Sequence, residues 1–245
     1  MPVSGYDAGE MTSGAGFKAK TSRGRGQLRA VVKWLAYGCA GLWLLGALLL
    51  VALRWINPPT TAVHIERRVQ AWMHRKPYHL RYEYVPLRRI SPNLQHAVIA
   101  AEDARFYQHH GFDWHAMRLA AKNDLDGGRL RGGSTLDQQL IKNLFFGTDR
   151  SILRKIAEAS LVPVAELVLG KRRILELYLN EVEWGPGVYG AQAACEYYDH
   201  TAAWRVSRVQ AAHLAAILPA PLKWKPQRMN WYSAIILKRM SQMGW

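Results

Sequence analysis

Between Trp34 and Leu53 the chain reads WLAYGCAGLWLLGALLLVAL, twenty residues without a charge, bracketed by Lys33 and Arg54. At 1.5 Å of rise per residue such a helix is about 30 Å long, the thickness of a bilayer's hydrocarbon core. It has no polar face, which argues against a buried helix of a soluble domain. A cleaved signal peptide is the main rival, but the run is longer than an h-region, and no clear small-x-small site precedes the return of charge. The pattern predicts an uncleaved anchor at 34–53, a tail at 1–33, a linker at 54–62 and a folded domain at 63–245.

Beyond the anchor the pattern is mostly helical. Asn57-Pro58-Pro59-Thr60-Thr61 predicts a stiff, non-helical exit, and residues 63–74 resume helical character with Val63, Val69, Trp72 and Met73 as apolar positions. Residues 78–85 alternate aromatic or apolar with polar, as a short strand or an extended arm would. Ser91-Pro92 is a helix start, with serine at the cap and proline in the first turn. Leu94, Ala97, Val98 and Ala101 then form an inward face, and Gly111 is expected to end the helix. An amphipathic segment runs from Trp114 to Asp126. Ser134 is expected to cap the next helix, with Asp137 as a variant capping-box partner. The helix carrying Arg154 should be kinked or divided by Pro163 and stopped by Gly170. Residues 171–180 present Ile174, Leu175, Tyr178 and Leu179 inward, GPGVYG at 185–190 is a turn, and helices follow at 191–198, 207–218 and 231–243. The expected fold class is mainly α.

Composition adds charge to this picture. The chain has 245 residues, room for one domain and a tail, with 33 Lys+Arg against 18 Asp+Glu. Such an excess points to nucleic acid, anionic lipid or an anionic substrate. The tail holds Lys18, Lys20, Arg23, Arg25, Arg29 and Lys33 against Asp7 and Glu10. The positive-inside rule therefore predicts a single-pass protein with a cytoplasmic N-terminus and its larger C-terminal part outside the inner membrane, where nucleic acid is no partner. Met1 to Gln27 is expected to be disordered. Cys39 lies in the anchor and Cys195 in the domain, so no disulfide forms within the external part.

Two stretches carry candidate chemistry, AAEDARFYQHHG at 100–111 and GGSTLDQQLIKN at 132–143. Glu102 follows Val98 by four residues, at the margin of the buried face. Apolar surroundings disfavour its charged form and raise its pKa towards a general base's working range. The same position equally suits a half-exposed glutamate paired with Arg105. Asp103 points elsewhere and is placed to orient Arg or His neighbours. Gln138, Gln139, Lys142 and Asn143 make a polar helix side or a solvated face. Arg154, Lys155 and Glu158 recur at the spacing of a surface ion-pair cluster. His109 and His110 have no Cys/His ligand spacing around them, so zinc is not expected.

Four motifs in order change that weighting: Glu102-Asp103-x-x-Phe106-x-x-His109-x-Gly111; Gly133-Ser134-Thr135-x-x-Gln138-Gln139-x-x-Lys142-Asn143; Arg154-Lys155-x-x-Glu158; and Arg173-Ile174-Leu175-Glu176-x-Tyr178-Leu179-Asn180. With them the sequence resembles the peptidoglycan glycosyltransferases of glycosyltransferase family 51, and among these the monofunctional, membrane-anchored biosynthetic transglycosylases, from about Val63 to near the C-terminus. The resemblance implies a lysozyme-like α fold that polymerises lipid II into glycan strands from a polyprenyl pyrophosphate-linked donor, in company with other cell-wall synthesis proteins. It implies Glu102 as the base for the acceptor 4-hydroxyl in an inverting displacement. Glu158 would assist the leaving pyrophosphate, through a divalent cation (Mg or Mn) or by organising nearby cations. Lys142, Arg154 and Lys155 match phosphate-binding positions, and Ser134, Gln138, Gln139 and Asn143 complete the substrate-binding set. Residues 114–131 occupy the place of a mobile, membrane-near flap. Oxygen ligands with phosphate suit Mg²⁺ or Mn²⁺.

The chain departs from the family pattern in three places. Asp137 stands where a neutral Ser or Thr is usual, Pro163 interrupts the third helix, and Asp199-His200 replaces a more usual Phe-Gly. No transpeptidase domain follows Trp245, so cross-linking is not expected. The alternative function is a lysozyme-like enzyme that cleaves glycan with paired carboxylates. Cleavage needs no pyrophosphate clamp, so Lys142, Arg154 and Lys155 argue for synthesis. A silent anchor that recruits other enzymes is opposed by Glu102 and Glu158.

Overall fold

A computed structural model describes Met1 and residues 15–125, 133–149 and 151–245. The chain divides into two units, 1–45 and 46–245. Helix α1 (Ala15–Leu53) begins inside the segment expected to be disordered. Ala19, Lys20, Arg23, Arg25, Gln27 and Leu28 are good helix formers, and they extend a helix that the apolar run already nucleates. Residues 29–53 are long and apolar enough to cross a membrane. Trp34, Leu35, Leu42 and Leu48 in this stretch are exposed.

The second unit takes in the last turns of α1. Leu50 and Leu53 are buried there, and Gly46 faces Leu161 so closely that an added Cβ would sit 3.2 Å from its Cδ1. Arg173 fixes this exit: its Nε donates to the Leu53 carbonyl at 2.9 Å and its Nη2 to the Ile56 carbonyl at 3.0 Å.

Helix α2 (Ala62–Met73) is capped by Thr61, whose hydroxyl accepts from the His64 N–H. Only Val63 of the four expected apolar positions is buried; Val69, Trp72 and Met73 are exposed, and His64 is buried instead. Helix α3 (Pro92–Glu102) starts at the Ser91 cap as expected but stops at Glu102, well before Gly111. Asp103 leaves the helical region at φ −153°, and a 3₁₀ turn follows at 106–108. Gly111 instead holds a positive φ of 85° in the loop, where an added Cβ would lie 2.6 Å from Val162 Cγ1.

Helix α4 (Trp114–Leu125) exposes Trp114 and Leu119, in keeping with its weak packing pattern. The rest of the expected flap, residues 126–131, lies outside the described residues. Helix α5 (Leu136–Phe145) packs chiefly on α6 (Ile152–Glu181), and α3 packs on α8 (Arg208–Ala215) and α9 (Asn230–Gln242). Within α6 the break falls at Gly170, φ 68°, while Pro163 sits exposed in helical backbone. Gly170 therefore divides the helix and Pro163 does not, because only the glycine adopts a conformation that ends helical hydrogen bonding. Helix α7 (Ala191–Asp199) ends on His200 in the left-handed region at φ 50°, the conformation the more usual glycine would take without strain.

The expected turn at 185–190 is a small hairpin of β2 (Glu183–Gly185) and antiparallel β3 (Val188–Tyr189), with β1 (Arg81–Tyr82) added parallel to β3. The arm leading out of β1 is pinned to α6. Asn180 brackets Val85 with bonds of 2.9 Å to its N–H and its carbonyl, and Glu176 accepts from the Leu87 N–H at 2.8 Å. Much of the fourth motif is thus structural: Arg173, Glu176 and Asn180 hold the exit and the arm.

Candidate active site

Glu102 ends α3 half-buried, and one of its oxygens is taken. Gln139 Nε2 donates to Glu102 Oε2 at 2.9 Å, and Gln139 Oε1 accepts from the Tyr178 hydroxyl at 3.0 Å. Tyr178, fully buried on α6, thereby fixes which end of the amide faces the carboxylate. Among the described residues Glu102 Oε1 has no hydrogen-bond partner and is free for a ligand. Burial raises the Glu102 pKa, while the Gln139 bond and the Lys142 ammonium oppose the rise. The surface pair with Arg105 does not form. Arg105 turns to Asp113 at 3.5 Å and to Gln108, because the chain leaves the helix right after Glu102.

Asp103 builds the floor. Its Oδ2 accepts from the Leu136 N–H at 3.0 Å, and its carboxylate binds His109 Nε2 at 3.0 and 3.1 Å. The α3–α4 loop is thereby tied to the start of α5. Thr135 caps that start, not Ser134. Its hydroxyl accepts from the Gln138 N–H, the Gln138 side chain accepts from the Thr135 N–H at 3.0 Å, and the hydroxyl donates to the Gly111 carbonyl at 2.7 Å. Thr135-x-x-Gln138 fits the Ser/Thr-x-x-Glu/Gln box, which Ser134-x-x-Asp137 does not. Gln138 is therefore buried in a cap and is not part of the open cleft.

With its hydroxyl released from capping, Ser134 lines a cleft of about 130 Å³ with Glu102, Arg105, Asp113 and Gly133. Lys155 Nζ reaches Ser134 Oγ at 3.3 Å from α6. Glu158 is buried behind it, bonded to Arg154 and 3.6 Å from Lys155 Nζ. Lys142 feels both carboxylates: burial lowers its pKa, Arg154 and Lys155 add to that, and Glu158 and Glu102 oppose it. The structure thus gathers Glu102, Ser134, Gln139, Lys142, Arg154, Lys155 and Glu158. Asn143 is buried on α5 and makes no hydrogen bond to these residues.

Asp137 is fully buried, with Lys171 Nζ 3.2 Å from its Oδ2, 3.1 Å from Glu166 Oε2 and 3.4 Å from His109 Nδ1. Asp103, His109 and Asp137 bring possible ligand atoms within 4.8 Å of one another. Lys171 already supplies the positive charge there, which leaves no call for a metal ion.

Residues 68–242 match the family described as Transglycosylase. The chain belongs to the transglycosylase family. Its mainly α domain is the lysozyme-like transglycosylase fold, preceded by one helix apolar enough to span a membrane. Its activity is glycosyl transfer. The chain is 47% identical over 209 residues to a biosynthetic peptidoglycan transglycosylase of Pseudomonas putida (strain F1), covering 83% of this chain and 89% of that protein. A relative of the same description from Pseudomonas entomophila is 46% identical over 222 residues, covering 89% and 91%. One from Pseudomonas syringae pv. syringae is 44% identical over 221 residues, covering 89% and 92%.

Sequence reasoning passed over Tyr178, Thr135 and Lys171 as site-building residues. The signals were a phenol in an otherwise aliphatic inward face, a threonine three before a glutamine, and a lysine directly after the helix-breaking Gly170.

Proposed function

We propose that this transglycosylase polymerises lipid II into peptidoglycan glycan strands from the periplasmic face of the inner membrane, with its N-terminus in the cytoplasm. The observation that carries the reading is the pairing of a half-buried carboxylate of raised pKa, Glu102, with a separate cationic group of Lys142, Arg154 and Lys155 around Glu158. In this reading Glu102 Oε1 accepts the proton of the acceptor sugar's 4-hydroxyl. The 4-hydroxyl oxygen, not the carboxylate, bonds to the donor's anomeric carbon from the face opposite the pyrophosphate as the carbon–pyrophosphate bond breaks, which inverts the centre. Charge builds on the departing pyrophosphate, and Lys142, Arg154 and Lys155 stabilise it where water is partly excluded. Ser134 and Gln139 line the way between the two ends.

The residues present do not fit a divalent cation on their own. Glu158 is a single carboxylate whose oxygens face Arg154 and Lys155, so an ion would compete with two cations and depend on the pyrophosphate for its other ligands.

The test is purified full-length protein with lipid II and Mn²⁺ or Mg²⁺. Glycan strands are expected, with none from Glu102→Gln. Fragments from finished peptidoglycan without polymer from lipid II would establish the cleaving alternative instead. A reporter fused after Trp245 is expected to be active only in the periplasm; cytoplasmic activity overturns the orientation.

A further inference from the structure

The outer face of α2 takes no part in lining the candidate active-site cleft. Ile65, Val69, Trp72 and Met73 are exposed, Trp72 at 79%. Their spacing of four, three and one places them on one side of the helix. The other side is spent on the fold: Val63 and His64 are buried, and Arg67 pairs with Glu183 at 3.1 Å. The helix is therefore amphipathic in two senses, and its second apolar face has no protein against it among the described residues.

Three features say what covers that face. The first is charge. Arg68, Arg75 and Lys76 are exposed beside it, and Trp72, Met73, Arg75 and Lys76 together line a surface notch. A tryptophan and aliphatic residues flanked by cations are the composition of a helix lying in a lipid headgroup layer. The second is continuity with the membrane. Leu53 ends the segment able to cross a bilayer, and α2 begins at Ala62. Nine residues reach at most about 30 Å, so α2 cannot leave the vicinity of the span's exit.

The third is a neighbouring patch. The Glu66 carboxylate accepts from the Thr148 N–H at 2.6 Å and from the Thr148 hydroxyl. This ties α2 to the connection that enters α6, whose first turns expose Ile152, Leu153 and Ile156. Two apolar patches from distant parts of the chain are thus held by one clamp, which a membrane surface explains better than a small soluble ligand.

We propose that α2 is an interfacial helix, with Ile65, Val69, Trp72 and Met73 in the lipid of the bilayer surface and Arg68, Arg75 and Lys76 on its phosphates. The proposal rests on the reading of 34–53 as a membrane anchor. It gives the domain a second point of attachment, so that the catalytic unit does not pivot about the span and its cleft meets a lipid-linked substrate in one orientation.

The experiment uses the full chain carrying Cys39→Ser, reconstituted in vesicles of phosphatidylethanolamine and phosphatidylglycerol. Single spin labels are placed through Val69→Cys, Trp72→Cys and, as an aqueous control on α9, Lys238→Cys. Cys195 is buried, which keeps it from the label. At positions 69 and 72 oxygen is expected to relax the label more than a water-soluble nickel chelate does, with the order reversed at 238. The same order at all three positions overturns the proposal. So does protection of 69 and 72 from both reagents that fades on dilution in lipid, which marks a second copy or another protein on this face. The pair Val69→Ser/Trp72→Ser is expected to keep its melting temperature and its activity in detergent but to lose activity several-fold in vesicles. Equal activity in both media overturns the orienting role. Carbonate washing separates the two readings. Release of the protein refutes the anchor, whereas retention with α2 in water refutes only the interfacial helix.

Discussion

Gln139 hands the Tyr178 hydroxyl's direction on to Glu102: it accepts from the phenol at 3.0 Å and donates to the carboxylate at 2.9 Å. A base that is desolvated and also oriented loses most of its value if either condition fails. Glu102→Gln is expected to lower turnover by ~10² to 10⁴-fold, the usual contribution of a positioned base. Gln139→Ala keeps the carboxylate but removes a bond that lowers its pKa. The ascending limb of its pH–rate profile is expected to move to higher pH. An unshifted limb with equal loss at every pH would leave Gln139 as packing only.

The same burial has a cost in stability, and its sign is fixed. Glu102 has a folded-state pKa above its unfolded value, so in the window between the two the native state holds the proton more tightly. Its stabilising contribution is complete below the unfolded value, near pH 4, and is lost as pH rises through the folded value. Glu102→Gln is therefore expected to melt no lower than the parent at neutral pH, with any gain in stability shrinking towards pH 4. A variant that melts well below the parent at pH 7 would mean that the charge is a structural ion-pair partner.

How far the sequence carries differs from residue to residue. Helical class, the Ser91 start and the inward set Ile174, Leu175, Tyr178 and Leu179 are legible because they depend on local spacing. The apolar margin at Glu102 is legible for the same reason, since Val98 lies one turn before it. The end of α3 is not, because the tertiary bonds of Asp103 to Leu136 and His109 stop the helix before any local breaker is reached. Burial of Glu158 is also invisible locally: Arg154, Lys155 and Glu158 have the spacing of an exposed cluster, and only the packing of α5 on α6 encloses the carboxylate. Asp137 departs from the neutral residue usual at its position, and nothing local accounts for it until Lys171, thirty-four residues away, is found against it.

That pair makes a separate prediction. Asp137 is fully buried, and burial raises its pKa, with Glu166 adding to the rise and Lys171 opposing it. Lys171→Met leaves the carboxylate without its cation and is expected to cost ~3 to 5 kcal/mol in urea unfolding, the range for breaking a buried pair. Adding Asp137→Thr is expected to recover much of that loss, since it removes the stranded charge. If the double variant is no more stable than Lys171→Met, the main role of Lys171 is its contact with His109 or Glu166.

Lys155 offers the opposite test, of charge that serves chemistry and not stability. Its side chain is 48% exposed, and it sits 3.6 Å from Glu158 and 3.3 Å from Ser134. An ion pair so open to water contributes less than ~1 kcal/mol to folding. The pyrophosphate leaving group would meet the same ammonium in a cleft closed by substrate, where the interaction is stronger. Lys155→Ala is expected to unfold within that 1 kcal/mol of the parent while losing ~10² to 10³-fold in turnover. Lys155→Arg, which keeps the charge, should recover part of the rate. Loss of stability in proportion to activity would return Lys155 to an ordinary surface pair with Glu158, and leave Lys142 and Arg154 to hold the leaving group.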